Sequence, residues 1–300
     1  MAAMPKRPSP LLAWVAFAGI IALAAGWQIV TRLGVTTTLQ PLDVAMLRYT
    51  VPAVVLAPLW WRTGLRPAGL GVPRLALIIF GGGAPFGLLA MSGAALAPAA
   101  DMATIMSGAM PLAVAVLAAV VLGERPSPRA WFGFGVIAIA LALLIGPTLA
   151  DRADGSWRGQ ALFLIGGLVW AVYTIAYRGS GLTPWAAAAL VSVWSALMIL
   201  PLWLWSGTAR LFAAPWHDIA LQFLWQGVLA GIGGLWLYGV TILAFGASRA
   251  AVSGALVPPV VAFGAWVILG ETVDTATLAA LVGVTVGVTF ASGALDPRAH

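Results

Sequence analysis

"PLAVAVLAAVVLGE" runs from Pro111 to Glu124, and "PPVVAFGAWVILGE" runs from Pro258 to Glu271. A shift of 147 residues (271 − 124 = 147) lays the first on the second without a gap, with Pro, Ala, Ala, Val, Leu, Gly and Glu recurring in register. The same shift brings the glycine-rich "GGGAPFG" (Gly81–Gly87) opposite "VLAGIGG" (Val228–Gly234). A neighbouring shift of 146 sets Arg32 against Arg178 and Trp27 against Tyr173. The two halves of the chain are therefore copies of one pattern, and each apolar block closes on Leu-Gly-Glu.

Composition says what solvent such blocks occupy. Hydrophobic residues make up 62% and charged residues 8% of the 300, too few charges to coat a soluble domain of this size. A bilayer core about 30 Å thick calls for about 20 apolar residues per helix. That ruler divides the chain into ten spans near 11–32, 41–61, 74–96, 98–122, 129–148, 158–177, 183–205, 218–245, 250–269 and 275–294. Short connectors such as "RTGLRPAGLGVPR" (Arg62–Arg74) and "RGSGLTP" (Arg178–Pro184) punctuate them, as helical hairpins require. The expected fold is an all-α membrane protein of ten transmembrane helices in two inverted five-helix repeats, because an odd number of spans per repeat reverses the second copy. The expected division is a tail at 1–10, a first repeat at 11–149, a connecting loop at 150–157, a second repeat at 158–294 and a tail at 295–300.

Lys6 and Arg7 precede the first apolar run in the manner of a signal peptide, but the run continues through Trp27 to Val30 and has a counterpart in the second half; retention is expected. With a cytoplasmic amino terminus, Lys6, Arg7, Arg62, Arg66, Arg74, Arg125, Arg129, Arg178, Arg249 and Arg298 fall on the inner side. Arg32, Arg152, Arg158 and Arg210 fall on the other. The excess places both termini in the cytoplasm of a bacterial-type inner membrane. Trp60, Trp61, Trp131, Trp157, Trp203, Trp205 and Trp216 lie near span ends, where indoles anchor at headgroup level.

Several classes are excluded. The absence of cysteine rules out disulfides, iron–sulfur clusters and thiolate zinc sites, and Lys6 as the only lysine rules out a Walker A loop. His217 and His300 cannot form an HExxH zinc site, so no cofactor or metal is expected. The net charge of +6 comes from scattered arginines with no basic stripe, which argues for the lipid bilayer and against nucleic acid as partner. The lack of cationic clusters argues against phosphorylated substrates. A small neutral or zwitterionic solute fits better. No nucleophile, base or metal cluster lies within the spans for a membrane-embedded enzyme; a channel is the other class alternative.

The paired Pro-to-LGE blocks, "MLRY" (Met46–Tyr49) and the five-plus-five organisation together resemble the drug/metabolite transporter superfamily, in its EamA-type ten-helix branch. Within that branch the chain is similar to the YddG-type exporters of aromatic and other neutral amino acids. The resemblance implies a secondary exporter, acting as a monomer, with its substrate site between the repeats near the midplane.

Spans brought together by such repeats supply the candidate substrate-binding residues. They are Trp27, Gln28, Trp170, Tyr173 and Tyr177 in the first and sixth spans, and Phe86, Met91, Trp236 and Tyr238 in the third and eighth. Met106, Ser107 and Ser253 follow in the fourth and ninth, near Pro111 and Pro258, which are assigned to gating or structure. Aromatic walls with a few polar groups are the usual composition of a small-molecule pocket. An aromatic at helical spacing is also ordinary packing, whereas a polar tip inside a span, as on Gln28 and Tyr173, must find a partner. Arg48 lies well inside a span, at a cost of at least ~2.5 kcal/mol. It has two readings: a carboxylate-binding or gating cation, and an arginine satisfied by backbone carbonyls, which suffice for it. Inverted repeats put Glu124 and Glu271 at opposite faces, where each ends its helix and bonds backbone or arginine.

Overall fold

The computed structural model describes residues 9–153, 155–245 and 247–292, without the side chains of 235, 236, 238, 239, 242, 243 and 247–252. Every regular element among them is helical: α1 (Pro10–Thr37), α2 (Pro41–Val55), α3 (Ala57–Thr63), α4 (Val72–Gly82), α5 (Ala84–Leu96), α6 (Ala99–Leu122) and α7 (Pro128–Ala150). They are followed by α8 (Ser156–Tyr177), α9 (Pro184–Trp205), α10 (Trp216–Gln222), α11 (Gly234–Phe245), α12 (Ala247–Gly264) and α13 (Thr275–Ala291), with π-helical stretches at Phe223–Gly233 and Ala265–Leu269. Six are long and apolar enough to cross a membrane, namely α1, α4 joined to α5, α6, α7, α8 and α9. The pair α2 and α3 makes a seventh candidate across a bend of 67°, and Ser253–Leu269 and Thr275–Ala291 are shorter apolar helices.

Local chemistry sets these boundaries. Ser9, Ser127, Thr183 and Asp274 each accept a backbone N–H of the first turn that follows, with proline next in line at three of them, where its missing donor costs nothing. The Leu-Gly-Glu endings are helix stops. Gly123 and Gly270 take left-handed φ of 69° and 67°, and the next residues turn back to bond inside the helix: Glu124 N–H to Ala118 O at 3.3 Å and Glu271 N–H to Ala265 O at 3.2 Å. This backward bond over a left-handed glycine is how helices commonly satisfy their last carbonyls. Its recurrence at positions 147 apart places the same stop in both halves.

Three expectations are refined. The first helix continues past residue 32 to Thr37. The 41–61 stretch bends at Leu56, between Pro52 and Pro58. Trp203 is no headgroup anchor: it is buried, and its indole donates to Asp43 Oδ1 at 2.7 Å. Asp43 Oδ2 also accepts the N–H groups of Gln40 and Arg210 at 2.9 and 3.1 Å. Burial of a carboxylate there is tolerated because both oxygens are occupied.

Packing repeats as the sequence does. α1 packs on α11 and α12 as α8 packs on α5 and α6, while α2 meets α9 and α7 meets α13. Exchanging each helix for its copy in the other half maps these contacts onto one another, while α1 and α2 also pack on α5 and α6 on α13. The α7–α13 contact is close because it is built on glycine: a β-carbon on Gly287 would collide with Ile137 and the Gly133 carbonyl. Large apolar side chains such as Trp14, Val120, Phe132, Leu204 and Phe263 point outward, which suits a lipid-facing surface and not water.

Candidate functional site

The midpoint of the bundle holds a cavity of 340 Å³ lined by Ile20, Leu23, Ala24, Trp27, Gln28, Arg48, Phe86, Met106, Ser107, Met110, Trp170, Ala230, Gly234, Gly254 and Val257. α1, α2, α5, α6, α8, α11, α12 and the π-helical stretch all contribute. Phe86, Met106 and Gln28 are buried. An aromatic series crosses the site: Trp27 and Phe86 have ring centroids 6.4 Å apart, and Phe86 and Trp170 4.9 Å. The Arg48 guanidinium lies over the Trp27 ring, its Cζ 4.9 Å from the centroid, in cation–π contact.

A vestibule of 760 Å³ shares Ile20, Ala24, Ser107, Met110, Trp170, Gly254 and Val257 with this cavity and extends past Pro111 and Ser253 to Glu124, Arg125, Ser127 and Arg178. The site is therefore continuous with the Glu124 end of the bundle.

The opposite end carries a hydrogen-bonded cluster. Arg32 Nε donates to Glu271 Oε1 at 2.6 Å and Arg32 Nη1 to the Ala94 carbonyl at 2.7 Å, while Glu271 Oε2 accepts the Ala99 N–H at 2.9 Å. The cluster joins α1, the end of α5, the start of α6 and the segment after Leu269. At the vestibule end, Arg178 makes a two-pronged bond to Glu124 at 3.0 and 3.2 Å. Arg178 and Glu124 side chains are 47% and 49% exposed against 19% and 15% for Arg32 and Glu271. Glu271 meets the first residue of α6 and Glu124 follows its last, so 24 residues of helix, roughly 36 Å, separate the two pairs. Beside the Arg32–Glu271 cluster, Gln160 donates to buried Asp101 at 2.8 Å and accepts from Thr148.

Two of the helices around the cavity are irregular at mid-depth. α4 stops at Gly82 and α5 starts at Ala84, and side chains brace the break: the Ala84 N–H donates to Ser195 Oγ at 2.9 Å, and Tyr49 Oη donates at 2.6 Å to the Gly83 carbonyl, which also accepts the Gly87 N–H at 3.0 Å. The matching region of the second half is the π-helical Phe223–Gly233. Broken backbone survives at membrane depth only when satisfied in this way, and such irregularities concentrate at functional sites.

Of the residues singled out from sequence, Trp27, Gln28, Phe86, Met106, Ser107 and Trp170 converge on the cavity, with Pro111 and Ser253 on the vestibule. Tyr173 and Tyr177 continue the aromatic series away from it, with centroids 5.0 Å from Trp170 to Tyr173 and 5.7 Å from Tyr173 to Tyr177. Tyr177 donates to the Leu182 carbonyl at 3.2 Å. Met91 is fully buried against Val44, Tyr49 and Leu190, and Pro258 is buried within α12; neither lines the cavity. The side chains of Trp236 and Tyr238 lie outside the described residues. Glu124 and Glu271 each pair with an arginine. The small lining residues Ala24 and Gly254 escaped the sequence reading, and Ala230 and Gly234 entered it only as part of the glycine-rich repeat block; small residues in an apolar span carry no signal that separates close packing from a cavity wall.

Residues 10–146 and 157–293 each match the model of the EamA-like transporter family. A solved crystal structure aligns over 94% of this chain and 95% of its own at 19% identity with a TM-score of 0.59, which shows a shared fold. No curated protein matches significantly.

Proposed function

We propose that this chain, which belongs to the EamA-like transporter family, exports small neutral or zwitterionic metabolites, amino acids with aromatic side chains among them, by alternating access. In this reading ten spans form two inverted five-helix repeats in a bacterial inner membrane, both termini are cytoplasmic and the working unit is a monomer. One observation carries it: the central cavity communicates with the Glu124 end while a four-bond-partner cluster around Arg32 and Glu271 closes the other. A site open to one side at a time is what two rocking repeats require. The vestibule end is also the end where α13 finishes, so a cytoplasmic carboxyl terminus makes this an inward-open state. The largely apolar lining favours, as a second reading, export of other small apolar drugs or metabolites through the same site.

The test is uptake of labelled amino acids and unrelated apolar solutes into liposomes holding the purified protein, with and without a pH gradient. Saturable flux with mutual competition supports the proposal. No saturable flux of any solute, or unitary channel conductance in a planar bilayer, overturns it.

A further inference from the structure

Among the described side chains, five buried polar atoms have no hydrogen-bond partner: Trp27 Nε1, Gln28 Oε1, Arg48 Nε, Arg48 Nη1 and Gln226 Oε1. Four of the five belong to residues lining the central cavity. The exception, Gln226, sits apart in a cluster with Thr31 and Gln222. A buried polar group left unpaired is costly and rare in native structures. Four on one cavity point to a ligand.

Their chemistry is specific. Three are donors, two of them on a guanidinium, and one is an acceptor on a side chain only 5% exposed. Among the described residues no Asp or Glu lines the cavity, and the one formal charge on it is the positive charge of Arg48. The two unpaired nitrogens donate from different edges of the guanidinium, and each can give a charge-assisted hydrogen bond to a carboxylate oxygen; Arg48 is held over the Trp27 ring. The Trp27 N–H adds a third donor nearby. Phe86, Trp170 and Met106 form an apolar wall within the same 340 Å³, a volume at the small-molecule end of ligand pockets. Glu124, the carboxylate of the vestibule, is already engaged by Arg178, so an ammonium finds no anionic partner there and only the neutral Gln28 carbonyl in the cavity.

Resting on the transport reading, we infer that the site takes a small organic monocarboxylate with a flat apolar body, its carboxylate on Arg48 and the Trp27 N–H. An α-amino group is accessory, received by Gln28 Oε1. The carboxylate is what the site requires, and a single guanidinium neutralises one such charge.

The experiment compares four probes built on one phenylethyl skeleton: phenylalanine, 3-phenylpropionate, phenylalaninamide and phenethylamine. Each is assayed for thermal stabilisation of the detergent-purified protein and for flux in liposomes. The two acids are expected to stabilise and compete at concentrations at least about tenfold below the amide and the amine, from the strength of a charge-assisted hydrogen bond. Arg48→Gln is expected to erase that ratio, and Arg48→Lys, which keeps the charge and loses the fork, to reduce it. 3-Phenylpropionate performing like phenylalanine marks the amine as accessory. Should Arg48→Gln fail to fold, the wild-type ratio and Arg48→Lys still decide. Binding or flux of the amide or amine equal to that of the acids overturns the inference and leaves transport standing, and so does an unchanged ratio in a folded Arg48→Gln. No binding and no flux of any probe overturns the inference, while the wider solute panel then decides the transport reading separately.

Discussion

Arg32 Nε stands 2.6 Å from Glu271 Oε1 across 239 residues of sequence, and the pair is the repeat image of Arg178 with Glu124 at the far end of α6. Each pair joins the first helix of one half to the helix stop of the other, so neither half can make it alone. Only the Arg32–Glu271 pair also grips the α5–α6 junction, through the Ala94 carbonyl and the Ala99 N–H. It therefore bridges parts that must separate if that end is to open.

Glu271→Gln is expected to loosen the tied end. A charge-assisted hydrogen bond contributes ~2 kcal/mol, roughly a thirtyfold bias between open and closed. The chain has no cysteine, so a single Cys replacing Ala97, fully buried at that junction, reports opening by its reaction rate with a polar maleimide. The prediction is labelling at least about tenfold faster in the Glu271→Gln background; equal rates would show that the cluster does not hold the end closed.

The two repeat-related pairs are expected to differ in their contribution to stability. Arg178 and Glu124 are about half exposed, and exposed pairs contribute ~0.2–1 kcal/mol. Glu124→Gln should thus shift thermal unfolding little, whereas Glu271→Gln, which strips a shielded Arg32 of its anion, should lower it several-fold more. Paired melting curves in one detergent make the comparison.

Cavity and core aromatics or sulfurs separate by kinetics. Trp170→Ala removes a wall of the cavity and is expected to raise the KM for flux by about tenfold, from the loss of ~1.4 kcal/mol of aromatic contact. Met91→Ala, fully buried away from it, should cost ~2–5 kcal/mol of stability and leave KM where it was. A Met91→Ala variant with altered KM and normal stability contradicts this division.

The break between α4 and α5 depends on two distant side chains. Ser195→Ala leaves the Ala84 N–H without its partner, at ~1–3 kcal/mol for a buried orphan, whereas Tyr49→Phe removes one of two donors to the Gly83 carbonyl, which keeps the Gly87 N–H, and should cost less. Because both bonds hold one backbone kink, the double variant should fall short of the sum, as coupled neighbours do. Thermal unfolding of the two singles and the double closes the cycle.

The sequence by itself determined the solvent, the all-helical class and the repeat. Too little charge to face water leaves a bilayer, apolar run length measures helices against its thickness, and Leu-Gly-Glu recurs because a left-handed glycine followed by a backward bond ends a helix in the same place in both halves. It also named Trp27, Gln28, Phe86, Met106, Ser107 and Trp170, since they carry polar tips or bulk on spans that the repeat brings together. Only the tertiary structure decided which of these share a cavity, that Met91 and Pro258 lie outside its lining, and that Arg48 keeps two donors unpaired over Trp27. It alone paired Arg32 with Glu271 and Arg178 with Glu124 and made one pair shielded and the other exposed. Apolar periodicity records that a residue leaves water, and says nothing of whether it then meets lipid, a neighbouring helix or a cavity; that choice is made by helices far apart in the chain coming together.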